Sequence, residues 1–172
     1  MSTTDLGESL VGAYMRHIER CSIVLYNSFF ADRQGEIDVV AVKQQEPGGP
    51  RLVYMCEVST HIGGMASTTV AKIPAKLHRL REFADMTFPD EEHRFHWWSP
   101  YVPEGKATIE FERLCGDWKA EGRSLEFIVN DDYTRRIAQL VEHARGNSST
   151  TNEPAYRMLQ MLTRLRGEKP AL

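Results

Sequence analysis

The sequence is poor in features that would announce a function at once. Cysteine occurs three times in 172 residues, at Cys21, Cys56 and Cys115, and never in a CxxC pair. That spacing argues against a cysteine-based zinc site and against a disulfide framework. No run of about eighteen apolar residues occurs, so neither a membrane-spanning helix nor a membrane partner is expected. The opening MSTTDLGESL lacks a basic patch followed by an apolar stretch. No secretory signal is therefore expected, and the cytoplasm is the expected compartment. Positive charge is not in excess either. The net charge is −3, so the chain as a whole does not advertise nucleic-acid binding.

What is present is an ordinary globular balance, 41% apolar and 26% charged residues, enough for one domain with a real core. The charge is uneven. Residues 132–172 carry seven Lys and Arg against four Asp and Glu, a basic face that can meet phosphates or simply be solvated.

Leu6, Leu10, Ala13, Tyr14, His17 and Ile18 recur at helical spacing, which predicts an amphipathic helix over 5–20 with Asp5 as its cap. SIVLYNSFF, EIDVVAVKQ and RLVYMCEVS read as three strands joined by ADRQG and QEPGGP, and should pair antiparallel in sequence. After a polar loop, THIGGMASTT, a helix is expected over 73–86, with Pro74 in its first turn. RFHWWSPYV follows as a fourth strand or extended segment. A helix over 105–122 should pack Ile109, Phe111, Leu114 and Trp118. SLEFIVN reads as a short buried strand. A helix over 131–144 should be capped by Asp131 or Asp132. A linker, RGNSSTTNEP, leads to a last helix with Met158, Leu162 and Leu165 inward. This order predicts an α/β fold, a mixed β-sheet flanked by helices. Residues 1–146 would form the domain, with 147–172 as linker and C-terminal helix.

Two strands carry an acid among apolar residues, Asp38 and Glu57. Side chains alternate along a strand, so Glu57 and Ser59 share a face, as do Glu36, Asp38 and Val40. If the strands pair through QEPGGP, Asp38 and Glu57 converge near one sheet end. Two close carboxylates raise each other's pKa, and a hard dication such as Mg²⁺ or Mn²⁺ relieves that cost. Such an ion can activate water and offset charge on a phosphoryl group. The same acids also suit a structural role, Asp38 capping a turn and Glu57 pairing with an arginine at a sheet edge.

The succession resembles the PD-(D/E)xK nuclease superfamily, the restriction-endonuclease-like fold, and most of all its small YraN-type and Holliday-junction-resolvase-like members. LGESLVGAYM looks like the family's opening helix, with Glu8 as the helix acid. GEIDVVAV and VYMCEVST look like its two metal-binding strands. IPAKLHRLREFA looks like the helix that follows. The likeness spans about residues 6–84. It implies a Mg²⁺- or Mn²⁺-dependent phosphodiester hydrolase acting on DNA, in which Asp38 and Glu57 bind the metal. It also implies a metal contact from the backbone carbonyl of Val58, an auxiliary or water-mediated role for Glu8, and a possible homodimer.

Ser59 stands where the family usually has lysine. Either the lysine has moved to the next helix, to Lys76 or else Lys72, or activity is lost and a binding module remains. Lys72, Lys76, His78, Arg79 and Arg81 make the densest basic stretch outside the tail. Of these, Lys72, Lys76, Arg79 and Arg81 are the candidate contacts to a nucleic-acid backbone. His61 follows the third strand and could assist proton transfer. In HRFHWWSPY alternation puts Trp97 and Trp98 on opposite faces, so at most one is expected in the core, and exposed aromatics there could stack on bases. GGMAS lacks the GK[ST] ending of a P-loop.

Overall fold

The computed structural model describes residues 5–29, 35–60, 67–149 and 151–165. Five strands and five helices run in the order α1 (Leu6–His17), β1 (Ile23–Phe29), β2 (Glu36–Gln44), β3 (Arg51–Val58), α2 (Ser67–Thr87), β4 (Glu92–Ser99), α3 (Lys106–Ala120), β5 (Ser124–Val129), α4 (Asn130–Gly146) and α5 (Pro154–Leu165). One sheet is ordered β1-β2-β3-β4-β5. β1, β2 and β3 form the expected antiparallel meander, and β4 and β5 join in parallel. Parallel joins need crossovers, and α2 and α3 supply them. The chain is thus an α/β fold, a mixed sheet flanked by helices. Among the described residues no helix is long and apolar enough to cross a membrane.

Each face of the sheet has its own apolar cluster. Val40, Val42, Val53, Met55, Phe95 and Trp97 meet α2 and α3. Val39, Ala41, Tyr54, Cys56 and Trp98 meet α1, α4 and α5. This corrects the expectation for the tryptophans. Helices cover both faces of β4, so Trp97 and Trp98 are both core. α1 lies tight on the sheet because Gly7 and Gly12 have no side chain there. A Cβ on Gly7 would meet Thr60 Cγ2 at 1.9 Å, and one on Gly12 would meet Tyr26 Oη at 2.0 Å.

Several helix expectations need correction. α2 begins at Ser67, inside the stretch read as a loop, which leaves Pro74 inside the helix rather than in its first turn. α4 begins at Asn130 with no side-chain cap. Asn130 instead accepts the Val102 N–H at 2.8 Å and donates to the Val102 carbonyl at 2.9 Å. Ile109 is exposed on α3. On α5 Met158 and Leu162 face out, while Ala155, Tyr156, Leu159 and Gln160 are buried. Gln160 is inward because its amide donates to the carbonyls of Asn147 and Ser149, at 2.7 and 3.0 Å. β5 is an edge strand, and only Ile128 is fully buried along it.

A candidate active site where two strands part

The pairing of β2 with β3 runs from Gln44↔Arg51 to Val39↔Cys56 and stops. β2 continues along β1 to Glu36, and β3 continues along β4 to Val58. The two strands therefore part at the next step, and in register that step sets Asp38 opposite Glu57. Val58 N–H, freed from the backbone ladder, donates to Asp38 Oδ2 at 2.7 Å. Asp38 thus caps a strand rather than a turn. Glu57 lies on a central strand and pairs with a lysine, not with an arginine at an edge. Its Oε2 accepts Lys76 Nζ at 2.5 Å.

α2 delivers that lysine because its apolar stripe, Ile73, Leu77 and Leu80, is buried on the sheet, and Lys76 flanks the stripe one residue before Leu77. The ammonium also sits 5.5 Å from the centroid of the Trp97 ring, and Trp97 is the β4 residue paired with Glu57. Arg79 lies one turn further on. A Cβ on Gly35 would fall 3.2 Å from its guanidinium, and Gly35 holds φ of +143°, a backbone conformation that favours glycine.

Burial dominates the electrostatics. It pushes the Glu57 carboxyl up to about 7, with the charge of Asp38 adding and Lys76 and Arg79 opposing. Asp38 is also raised by burial, against the Val58 hydrogen bond and the charge of Lys76. Glu8 is raised by burial as well, with Asp5, Asp38 and Glu36 adding their charges against the Asp5 N–H that it accepts. Its Oε2 takes that N–H at 3.1 Å while its own N–H donates to Asp5 Oδ1 at 2.8 Å, a reciprocal cap of α1. Glu8 therefore caps its own helix while its charge still reaches Asp38.

The structure brings Asp38, Glu57, Val58 and Lys76 together, with Arg79 and Glu8 at the margins. Lys72 is exposed one turn before Lys76. Arg81 is turned away, pairing with Glu121 at 2.8 Å on the α3 side. Ser59 is buried, and its N–H donates to the Trp98 carbonyl at 2.8 Å. His61 lies outside the described residues.

Two desolvated carboxylates facing each other suit a hard dication, whose charge would offset both. Among the described residues no group of three His, Cys, Asp or Glu is arranged to hold a metal, so any further ligands here must be neutral oxygens or water. A concavity of about 420 Å³, between α1 and the segment before α5, is lined by Asp5, Leu6, Tyr26 and Glu153 and, among the described residues, carries no basic side chain. It is a poor receptor for phosphate. Sequence reasoning missed one residue, Asn27, which sits opposite Asp38 in the β1–β2 register. Counting pairs back from Phe29↔Glu36 reaches it. Comparisons with protein-family models, curated proteins and solved structures find no match to this chain.

Proposed function

We propose that this protein is a metal-dependent phosphodiester hydrolase acting on DNA, a member of the restriction-endonuclease-like PD-(D/E)xK group. The observation that carries the reading is the ammonium of Lys76 at 2.5 Å from Glu57, beside Asp38 at the parting of two strands. On this reading the α2 lysine stands in for the cation that Ser59 does not supply. Asp38 and Glu57 would hold Mg²⁺ or Mn²⁺, with the Val58 carbonyl and, through water, Glu8. When bound, the ion would make water acidic enough to attack at neutral pH and offset charge on the phosphoryl group.

The remaining chemistry belongs to the chain. Lys76 is partly exposed and brings its ammonium to the site, where negative charge would build on a phosphate under attack. Burial pushes Glu57 up to about 7 without metal, so a proton and the cation would compete for it near neutral pH, and the ion would keep it charged once bound. Arg79 and Lys72 extend the positive charge along α2 toward a DNA backbone. Cutting both strands of a duplex needs two such sites, and a homodimer would supply them.

The test is cleavage of plasmid DNA with and without Mg²⁺. Asp38→Ala and Glu57→Ala should each lose at least about 100-fold in rate while keeping the wild-type circular dichroism spectrum. An Asp38→Ala protein that cuts as fast as wild type would overturn the assignment. The second reading, a silent nuclease-like binding module, is favoured by Ser59 and by how tightly Lys76 closes Glu57. Salt-sensitive DNA binding by wild-type protein, with no cleavage in either metal, is its signature.

A further inference from the structure

Two asparagines hold left-handed backbone, Asn27 at φ 50° and Asn130 at φ 53°. Such geometry is strained for any residue but glycine, and asparagine tolerates it best. Asn130 is explained by its amide, which bonds the Val102 backbone in both directions. Asn27 has no such account. Its Oδ1 is buried and, among the described residues, accepts no hydrogen bond. A buried acceptor without a donor is rare, and a ligand not yet bound is one of the few explanations for it.

Its position is informative. Tyr26↔Val39 and Ser28↔Ile37 are ladder pairs, and the step between them, Asn27 opposite Asp38, makes none. One row across the sheet therefore reads Asn27, Asp38, Glu57 and Trp97. The flanking pairs Tyr26↔Val39 and Ser28↔Ile37 keep the register unbroken, so Asn27 stands at the Asp38 position of the ladder. On that side β1 is uncovered, since Ile23, Leu25 and Phe29 are exposed, so the row is open to solvent at the Asn27 end.

Resting on the reading of this place as a metal centre, we propose that Asn27 Oδ1 is a third oxygen ligand for the cation held by Asp38 and Glu57. The charge balance favours a neutral group here. Two carboxylates already match a dication, and Lys76 leaves one positive charge in excess for a phosphodiester to neutralise. A third carboxylate would cancel that excess. It would also add a charge to a row whose two acids are already raised by burial. An amide oxygen adds a hard donor without either cost.

The test is Mn²⁺ binding to the full chain by isothermal titration calorimetry, with thermal unfolding of the metal-free protein beside it. Asn27→Gly accepts the backbone geometry and removes the oxygen. It should keep or raise the metal-free melting temperature while weakening Mn²⁺ binding about tenfold. Asn27→Asp should bind Mn²⁺ more tightly than wild type and melt lower without it. Wild-type affinity in Asn27→Gly overturns the proposal. Weakened affinity in Asn27→Asp overturns it too, since the amide would then serve by donating its N–H to Asp38. Asp38→Asn separates the two levels. If it abolishes binding while Asn27→Gly does not, only the role of Asn27 falls. If wild type binds no Mn²⁺, or Asp38→Asn binds it as wild type does, the metal centre itself falls.

Discussion

An ionic cluster sits on each face of the sheet, and the two are built in opposite senses. On the α2 face the anion is inside and the cation outside: Glu57 is 1% exposed and Lys76 is 37% exposed. On the α4 face the cation is inside: Arg136 is 15% exposed and its partner Glu126 is 44% exposed. Arg136 also pairs with Asp132 at 3.4 Å and lies 5.9 and 5.6 Å from the rings of Tyr14 and Trp98. A guanidinium cannot lose its proton, so a half-buried arginine must be matched by acids and rings, and it then acts as a brace. A buried carboxyl can take up a proton, and Glu57 is poised to do so near neutrality. His96, beside the brace, is pushed down to about 3 by burial, with Arg136 and Arg94 adding, so it stays neutral and is no proton carrier at ordinary pH. Beside these two ion pairs, the acid that exchanges protons near pH 7 is Glu57, on the α2 face.

The largest effects should separate the faces. Lys76→Ala is expected to lower DNA cleavage by about 100-fold or more. Its cost in stability should be about 1 kcal/mol at mildly acid pH, because Glu57 can become neutral when its partner is gone. Arg136→Ala should do the reverse. It leaves Glu126 without its cation, leaves Asp132 to Arg135 alone and removes the cation beside two rings, a loss on the order of 2 kcal/mol, with little change in cleavage per folded molecule. Urea unfolding and plasmid cleavage on both variants would check this. Equal stability losses with equal activity losses would erase the distinction.

The next effect is a pH dependence set by Glu57 on the α2 face. Glu57 has a folded pKa raised from 4.5 to about 7. Its contribution to stability is therefore present in full below 4.5 and is lost as pH rises through 7. Glu57→Gln cannot lose a proton, so it escapes that loss. Relative to their difference at pH about 4, the variant should gain up to about 3 kcal/mol over wild type by pH about 8. Melting temperatures across that range are the measurement. Parallel curves would mean that Glu57 is not held near neutrality.

The α2 site was legible in the sequence because its geometry follows from counting. A hairpin that pairs Gln44 with Arg51 must bring Asp38 opposite Glu57, and the helix after β3 must pass over them. Lys76, with Lys72 as the alternative, came from the resemblance and not from counting, and the buried stripe Ile73, Leu77 and Leu80 explains why Lys76 is the one that reaches Glu57. What was not legible depends on neighbours remote in sequence. The burial of both tryptophans required helices on both sides of β4, and α4 and α5, which build one side, lie far along the chain. Met158 and Leu162 look like core by identity. α5 is instead rotated so that Tyr156 stacks on His17, with ring centroids 3.8 Å apart, and bonds His143 at 2.7 Å. Pro74 suggested a helix start, but the helix already runs from Ser67. Asn27 gave no signal of its own, since one polar residue in an edge strand is ordinary. Its positive φ and unpartnered oxygen are visible only in three dimensions.

The smallest expected effects test how far the α2 face extends along its helix. Lys72 and Arg81 stand on the same helix as Lys76, and a sequence count alone gives them equal weight as DNA contacts. The structure does not. The Arg81 guanidinium is committed to Glu121 and approaches His78 at 3.1 Å, so it points along α3 and away from Asp38. Arg81→Ala should lose a half-exposed ion pair, worth under about 1 kcal/mol, and leave DNA affinity unchanged. Lys72 is exposed on the turn before Lys76, where the proposed DNA backbone would pass. Lys72→Ala should leave stability and metal affinity unchanged and lower by about one the number of counterions released on binding. That number is read from the slope of log affinity against log salt. If Arg81→Ala flattens the slope and Lys72→Ala does not, DNA lies across α3 rather than over the parting of β2 and β3. The carboxylate pair would then be off the path of the backbone it is proposed to cut.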